Sequence, residues 1–234
     1  MERQPRTYGT TKMCSLSLKV FTNGAASVVL TITFIYYSTC YAAYLGDGPN
    51  ELVEEGRRNL DLIKVLNTTD PIFLYMWKRN NTEKCVGSDC LNQTKTCDHM
   101  REISLSNTYY VCRWSTLTGP DTWYNESRVG KFEEHQGPPV AMDLPRFIEE
   151  QRVHERMELK FNQPGTYNCS VFVVTDMRNK NEGNVTCALY MRGKLKLRQY
   201  PPTACQIDFY QRCTSRMVYQ PYSPDCEVKP YFDV

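Results

Sequence analysis

The cysteines constrain this chain more than any other feature of its sequence. Eleven are present, and nine of them follow residue 84. Cys85, Cys90 and Cys97 stand within the stretch KCVGSDCLNQTKTC, and His99 follows them two residues later. Such a cluster is either a set of disulfide-bonded loops or a metal site, and the redox compartment in which the chain folds decides between the two.

The N-terminal segment predicts export. The apolar run at residues 25–37 reaches roughly 20 Å as a helix, less than the ~30 Å hydrocarbon core of a bilayer. Basic residues precede this run, and the small residues Ala42 and Ala43 follow it, which is the layout of a secretory signal. We therefore expect a signal in residues 1–42, with Met13 as an alternative start, and one domain in residues 43–234. A retained signal anchor is the competing interpretation.

Sequons for N-glycosylation support the export interpretation. A single N-x-Ser/Thr pattern often arises by chance, but six in one chain are typical of a glycoprotein and predict six solvent-facing positions. The predicted acceptors are Asn67, Asn80, Asn92, Asn125, Asn168 and Asn184.

In an oxidising compartment the cysteines are expected to form disulfides. Cys14 and Cys40 would leave with the signal, and the remaining nine are an odd number, so one thiol stays unpaired or pairs with another chain. A zinc site at Cys85, Cys90, Cys97 and His99 is the alternative. Its gaps of four and six residues are loose for structural zinc, and the sequon at Asn92 lies inside it. We expect disulfide-bonded loops and no metal.

Hydrophobic periodicity predicts short strands between two helices. Leu60, Ile63 and Leu66 recur at helical spacing and predict a short surface helix that ends before Pro71. Short strands with one helix before and one after them favour a closed antiparallel barrel, and about eight strands can enclose one small ligand. The predicted strands are 71–78, 102–117, 121–132, 156–161, 166–175 and 184–191, and the second helix is 203–213.

Four short motifs occur in a characteristic order: DLIKVLNTTDPIFLYMWKRNNTEKCV, YNCSVFVV, CALYM, and ACQIDFYQRC followed by YSPDC. In these motifs and their cysteine context the chain resembles the tick salivary lipocalins of the histamine-binding-protein-like group. The resemblance covers nearly all of residues 43–234. It implies an all-β fold, an eight-stranded antiparallel up-and-down lipocalin barrel (calyx) with a short N-terminal helix and a C-terminal helix.

The resemblance also implies two disulfides. These are Cys169–Cys205 and Cys85–Cys226. Outside the family pattern, we expect Cys187–Cys213 and one further bridge among Cys90, Cys97 and Cys112.

Members of this family sequester small host mediators such as biogenic amines or eicosanoids, and a few bind host proteins. We therefore expect a secreted, extracellular salivary lipocalin that holds a small host mediator in its barrel. The alternative is a module that captures a complement component, chemokine or clotting factor through the stapled loop 85–97. A net charge of +2 argues against nucleic acid, and we expect no stable membrane association after signal cleavage. Three histidines without a recognisable catalytic arrangement argue against an enzyme, and we expect no cofactor.

The acidic residues decide which mediator is expected. A buried amine cation needs carboxylates around it. Amine-binding members of the family carry acids where this chain has Ser170 and Ala188, so histamine is a doubtful ligand. Asp61, Glu102 and Glu158 are the acids that could substitute, although a solvated surface position is the preferred interpretation for each of them.

Aromatic residues suggest an apolar pocket for a lipid or an indole. Phe73, Tyr75 and Trp77 alternate along one strand and are expected to point to the same side. Simple core packing is the plain alternative for all the aromatics. The ligand-binding candidates are Tyr75, Trp77, Trp114, Trp123 and Tyr190, and the candidate cations for a ligand carboxylate are Lys78, Arg113 and Lys160.

Overall fold

The computed structural model describes residues 49–80, 85, 90–134, 136–148, 151–177, 185–196 and 199–226. The predicted signal in residues 1–42 and the acceptor Asn184 lie outside these ranges. Every helix within them is too short or too polar to span a bilayer.

Ten strands and three helices make up the described part of the chain. In chain order they are α1 Pro49–Arg58, α2 Leu62–Leu66, β1 Ile72–Arg79, β2 Leu91–Gln93, β3 His99–Leu105, β4 Tyr109–Gly119, β5 Thr122–Phe132, β6 Ala141–Ile148, β7 Gln151–Asn162, β8 Cys169–Asp176, β9 Val185–Arg192, α3 Thr203–Arg212 and β10 Val218–Gln220.

Eight of the strands form a closed barrel. From β3 to β9 each strand pairs antiparallel with the next, and β1 pairs antiparallel with both β3 and β9. The pairing of β9 with β1 leaves the barrel without an open edge. This is the up-and-down arrangement of lipocalins, and it confirms the predicted fold class, including the helices before and after the strands.

Side chains that alternate along these strands build two separate apolar clusters. The inner core fills the closed end of the barrel and contains Ile72, Met100, Tyr110, Cys112, Phe132, Met142, Leu144, Met157, Leu159, Phe172, Ala188 and Tyr190. The outer layer lies between the outside of β1, β8 and β9 and the C-terminal segment, and it contains Phe73, Tyr75, Met76, Phe161, Val171, Leu189, Met191, Phe209, Val218 and Tyr222.

An irregularity in β1 contradicts the expectation that Phe73, Tyr75 and Trp77 point to the same side. Opposite β9 the register shifts between Leu74 and Met76, so Tyr75 has no partner. Such a bulge moves every later residue to the opposite face of the strand. Phe73 and Tyr75 therefore join the outer layer, whereas Trp77 packs against the inner core.

The predicted surface helix is two helices, and the second is not at the surface. Asp61 breaks the run by adopting an extended conformation and accepting a hydrogen bond from the Lys64 N–H, which starts α2. Leu62 and Leu66 of α2 are fully buried in the inner core. The helix therefore forms the floor of the barrel.

Helices α1 and α3 pack together on the outside of the barrel. Asp208 of α3 is fully buried and accepts hydrogen bonds from Arg57 of α1 and from Arg212. Gly56 allows α1 to approach β7 closely, since a Cβ there would lie 2.2 Å from Cε2 of Phe161. These contacts hold α1 against the outer layer.

Strand β10 is inserted between β1 and the segment that leads into β3. It pairs antiparallel with β1 and parallel with β2. The Cys97 N–H also donates to the Pro221 carbonyl, which brings Cys97 beside the C-terminal segment. Cys97, rather than Cys85, consequently bonds to Cys226. The predicted Cys85–Cys226 bridge is wrong.

The other described cysteines complete the disulfide pattern. Cys85 closes a short loop with Cys90, and the two predicted bonds Cys169–Cys205 and Cys187–Cys213 are present. Cys112 is a free, buried thiol, so the expected bridge among Cys90, Cys97 and Cys112 is also wrong. Because Cys85, Cys90 and Cys97 are all oxidised, the cluster is the disulfide-bonded alternative and not a zinc site.

Several strand predictions differ from the structure: β2, β6 and β10 were not predicted, and β7 begins at Gln151 rather than at residue 156. The segment 102–117 is a hairpin, in which the Ser106 hydroxyl accepts hydrogen bonds from the Thr108 and Tyr109 N–H groups and turns the chain. Strand β6 was not predicted, because Pro145 and the preceding proline-rich segment indicate a loop. The strand nevertheless pairs with β7 along its whole length.

Candidate functional site

The interior of the barrel is fully packed at one end, and its side chains are less completely buried towards the other end. At the closed end the side chains of the inner core and α2 are buried. Towards the other end the inward-facing Leu74, Trp77, Trp114 and Val174 are only partly buried, although all four pack against the inner core. This less buried part of the interior, with its aromatic and aliphatic side chains, is called the open half below.

Trp77 and Trp114 form the aromatic part of this open half. Trp77 stacks on Tyr219 of β10, with ring centroids 4.2 Å apart and planes at 11°. The two residues are also partners in the β1–β10 register, so both point inward. Both tryptophans were predicted as ligand-binding residues, and the structure places both of them in the barrel.

A buried ion pair accompanies Trp114. Arg128 lies opposite Cys112, and Glu126 lies opposite Trp114, so both face the interior. The Arg128 side chain is 3% exposed, donates from Nε to Glu126, and places its guanidinium carbon 4.2 Å from the Trp114 ring centroid. This arrangement combines a salt bridge with a cation–π contact. Neither charged residue was predicted from the sequence as a site residue, although their alternation with Gly130 and Phe132 places all four on one face of β5.

A second polar group lies deeper in the barrel. The Tyr110 hydroxyl is buried and has no hydrogen-bond partner among the described residues. Burial raises the pKa of Tyr110, so the hydroxyl stays protonated and can donate. Cys112 lies two residues further along the same face, and burial raises the pKa of its thiol to about 12. An unpaired buried hydroxyl is costly, and a ligand oxygen or a water could satisfy it.

Ser170 and Ala188, the two positions on which the expectation about amine binding rests, also face the interior. Ser170 pairs with Tyr190, and Ala188 lies opposite both Trp77 and Phe172; all of these point into the barrel. Tyr190 is a further predicted ligand residue, and it contacts the Phe172 ring edge-on with the ring centroids 5.4 Å apart. Burial raises the pKa of its hydroxyl. Neither Ser170 nor Ala188 supplies a charge that could balance an amine.

The substitute acids have other partners. Asp61 caps α2 and forms an ion pair with Lys64. Glu102 faces inward but accepts a hydrogen bond from the Thr68 N–H near the floor. Glu158 lies opposite Val173 on the outside of the barrel and pairs with Lys160. Of the three, only Glu102 faces the interior, where it lies opposite Cys112, one inward-facing pair along the strand from Trp114.

Other predicted candidates also lie outside the barrel. Tyr75 and Trp123 belong to the outer layer or pack against it. Lys78 is buried there and donates to the Tyr210 carbonyl, and burial lowers its pKa. Arg113 lies opposite Ser127 on the outward face of β4. Among the described residues, the cation beside Trp114 is Arg128 rather than Lys78, Arg113 or Lys160.

Four of the predicted glycan acceptors are exposed, as expected for sequons. They are Asn67, Asn92, Asn125 and Asn168. Asn80 is half-buried, and its side-chain carbonyl accepts hydrogen bonds from Thr214.

Comparison with known proteins finds similarity only to solved structures. No family model and no curated protein matches the chain. One similar structure is the siderocalin Ex-FABP, described as functioning through dual ligand specificities. It has a TM-score of 0.43 and 13% sequence identity to this chain, and the alignment covers 71% of this chain and 97% of that one. Another similar structure is Japanin from Rhipicephalus appendiculatus bound to cholesterol. It has a TM-score of 0.38 and 13% sequence identity to this chain, and the alignment covers 65% of this chain and 91% of that one.

Proposed function

We propose that this protein is a carrier that captures one small, largely apolar ligand in the open half of its barrel. The observation that carries the proposal is the partial exposure of Trp77 and Trp114 above a closed apolar floor. Each square ångström of apolar surface removed from water contributes about 25 cal/mol, so a ligand that covers two tryptophans gains several kcal/mol.

The polar groups define the end of the ligand that enters first. The Tyr110 hydroxyl needs an acceptor, and Arg128 lies between it and Trp114. A fatty-acid-like ligand with a carboxylate at its inner end can accept from the Tyr110 hydroxyl and share the Arg128 guanidinium with Glu126, while its unsaturated chain lies between the tryptophans. An eicosanoid has this chemistry. Histamine does not, because Ser170 and Ala188 are uncharged and Glu126 is already paired with Arg128.

The biological role follows from the sequence. The predicted signal and sequons favour a secreted glycoprotein, and the resemblance to salivary lipocalins favours sequestration of a host mediator. The proposed activity is binding without catalysis.

Calorimetry on residues 43–234 from a glycosylating eukaryotic host tests this function. The panel is arachidonic acid, a leukotriene, serotonin and histamine. We expect saturable binding of a lipid and no saturable binding of histamine. Absence of binding across the whole panel would overturn the proposal, and tight histamine binding would overturn the argument from Ser170 and Ala188.

Tryptophan fluorescence locates the bound ligand. The chain has three tryptophans, and Trp123 lies outside the barrel, where its ring contacts His99. A Trp123→Phe variant therefore reports on Trp77 and Trp114 alone. We expect arachidonic acid to change its emission with the affinity found by calorimetry. Unchanged emission at saturation would place the ligand elsewhere.

The ion pair allows a test of ligand polarity. Arg128→Met alone leaves Glu126 unpaired and should destabilise the fold, whereas Arg128→Met with Glu126→Leu removes both charges at little cost. We expect the double variant to bind arachidonic acid at least tenfold more weakly and to retain its methyl ester. Equal loss of both ligands would show that the pair does not recognise the carboxylate.

Capture of a host protein is the second candidate function. All three residues of β2 are exposed, Leu91 among them, and the strand begins directly after the Cys85–Cys90 loop. A rigid, displayed segment of this kind suits protein recognition. Retained capture of a complement component, chemokine or clotting factor after Trp77→Leu would support this candidate over the barrel.

A further inference from the structure

A second aromatic cavity lies on the outside of the barrel, behind β1. It has a volume of 370 Å³, is partly open to solvent, and is bordered by the outer face of β1, by β2 and β10, and by α3 with the segment that enters it. Its aromatic lining consists of Tyr75, Tyr200 and Tyr210. Small-molecule sites typically measure about 300–1,000 Å³, so the cavity is large enough for a compact ligand.

The β1 bulge creates this cavity. Without it, Met76 would point into the barrel; with it, Tyr75 and Met76 both face the outer layer. The Tyr210 hydroxyl contacts the Met76 sulfur at 3.8 Å, so α3 and β1 meet at this cavity. Bulges often reorient side chains at functional sites, and this one supplies two adjacent residues to the same cavity.

The cavity is electrostatically suited to an anion. Arg216 is its charged lining residue, and none of the described residues that line it is acidic. Among the described residues Arg216 forms no ion pair, and its side chain is exposed at the rim. Close to the lining residue Tyr210, the Lys78 ammonium lies 5.6 Å from the centroid of the tyrosine ring. Both nearby cations are therefore uncompensated by a carboxylate of the lining.

We propose that this outer cavity binds a small planar aromatic carboxylate, with the ring between the tyrosines and the carboxylate at Arg216. Stacking on tyrosine and a guanidinium–carboxylate contact are the two interactions that such a ligand makes here. The site is separated from the barrel interior by the wall of β1. It is independent of the ligand proposed for the barrel.

Equilibrium dialysis with 2-naphthoate, and with the neutral 2-naphthamide, tests the proposal on residues 43–234. We expect one saturable naphthoate site and at least tenfold weaker binding of the amide. Tyr200→Ala and Arg216→Gln should each weaken naphthoate binding about tenfold. Tyr200 is 70% exposed, so its removal should not impair folding.

Two controls separate this site from the barrel. Arg58→Gln removes an exposed arginine on α1 and should leave naphthoate binding unchanged, and Trp77→Leu should also leave it unchanged. Arachidonic acid binding should in turn be unaffected by Tyr200→Ala. Equal naphthoate affinity in the wild type, Tyr200→Ala and Arg216→Gln would overturn the proposal, as would loss of the site in Trp77→Leu.

Discussion

The two faces of β1, β8 and β9 are built in different ways. On the outside they are covered by α3 and the C-terminal segment, and this layer is crossed by the bonds Cys97–Cys226, Cys169–Cys205 and Cys187–Cys213. On the inside of the open half no disulfide is present among the described residues, and the lining tryptophans remain partly exposed.

This difference indicates where the molecule derives its stability. A binding cavity must leave apolar surface uncovered and polar groups unpaired, and both lower the stability of the fold. The covalent links and the buried Phe209 lie on the opposite side of the same strands. The outer layer can thus stabilise the barrel without occupying the space that a ligand needs.

Removal of the disulfide that closes the longest chain segment should have the largest effect on stability. Cys97 and Cys226 are 129 residues apart in sequence, so Cys97→Ala with Cys226→Ala should lower the free energy of unfolding by about 5 kcal/mol. Cys85→Ala with Cys90→Ala is the matched control, since a separation of five predicts a loss of about 2 kcal/mol. Urea denaturation measures both. Equal losses would contradict the role assigned to the outer layer.

Truncation of one aromatic residue on each face sharpens the comparison. Phe209 is fully buried, so Phe209→Ala should cost about 3–5 kcal/mol of stability and leave arachidonic acid affinity unchanged. Trp77→Leu should cost less than about 2 kcal/mol, because the indole is already partly exposed, and should abolish binding. Urea denaturation and calorimetry on both variants provide the check. The opposite pattern would place the binding site in the outer layer.

A change at the N-terminus of α2, on the floor of the barrel, should have a smaller effect on stability. Asp61→Ala removes the N-cap of α2 and should cost about 1 kcal/mol in urea denaturation. Arachidonic acid affinity should not change, because Asp61 caps the helix and does not line the open half. Asp61→Asn, which keeps a capping oxygen, should restore most of the stability. A loss of ligand affinity in Asp61→Ala without a loss of stability would show instead that Asp61 contributes to the binding site.

The smallest expected effect is a pH dependence from His99. Burial lowers the pKa of the His99 imidazole below its usual value of 6.5; the hydrogen bond with the Cys97 carbonyl and the charge of Asp98 oppose this, and Arg101 and Lys194 add to it. The Nδ1 atom lies 2.9 Å from the Cys97 carbonyl, next to the Cys97–Cys226 bond. Because the unfolded chain takes up a proton at higher pH than the folded one, stability should fall as the pH drops below about 6.5. Thermal denaturation at pH 7.5 and 5.5 should show a smaller difference in His99→Gln than in the wild type.

The sequence was sufficient for those parts of the fold that local patterns describe. Strands β5, β8 and β9 and helix α3 were predicted within a few residues, because alternation and proline or glycine boundaries mark them. Trp77 and Trp114 were correctly placed in the barrel. Strand β6 was missed because a proline is compatible with a strand only where one edge is unpaired: β6 pairs with β5 only at Met142 and Asp143, so Pro145 lies beyond that pairing, which is a tertiary feature.

Only the tertiary structure decided which side of each strand faces inward and which cysteines pair. A single unpaired residue at Tyr75 reverses the faces of β1, and no local pattern distinguishes this bulge from regular alternation. The insertion of β10 beside β1 brings Cys97 to Cys226 across 129 residues, and the pairing of β4 with β5 brings Arg128 to Trp114. Local sequence therefore determined the elements and the classes of residues available for a site. Long-range pairing determined which of those residues meet, because a shift of one residue in register moves a side chain to the opposite side of the barrel wall.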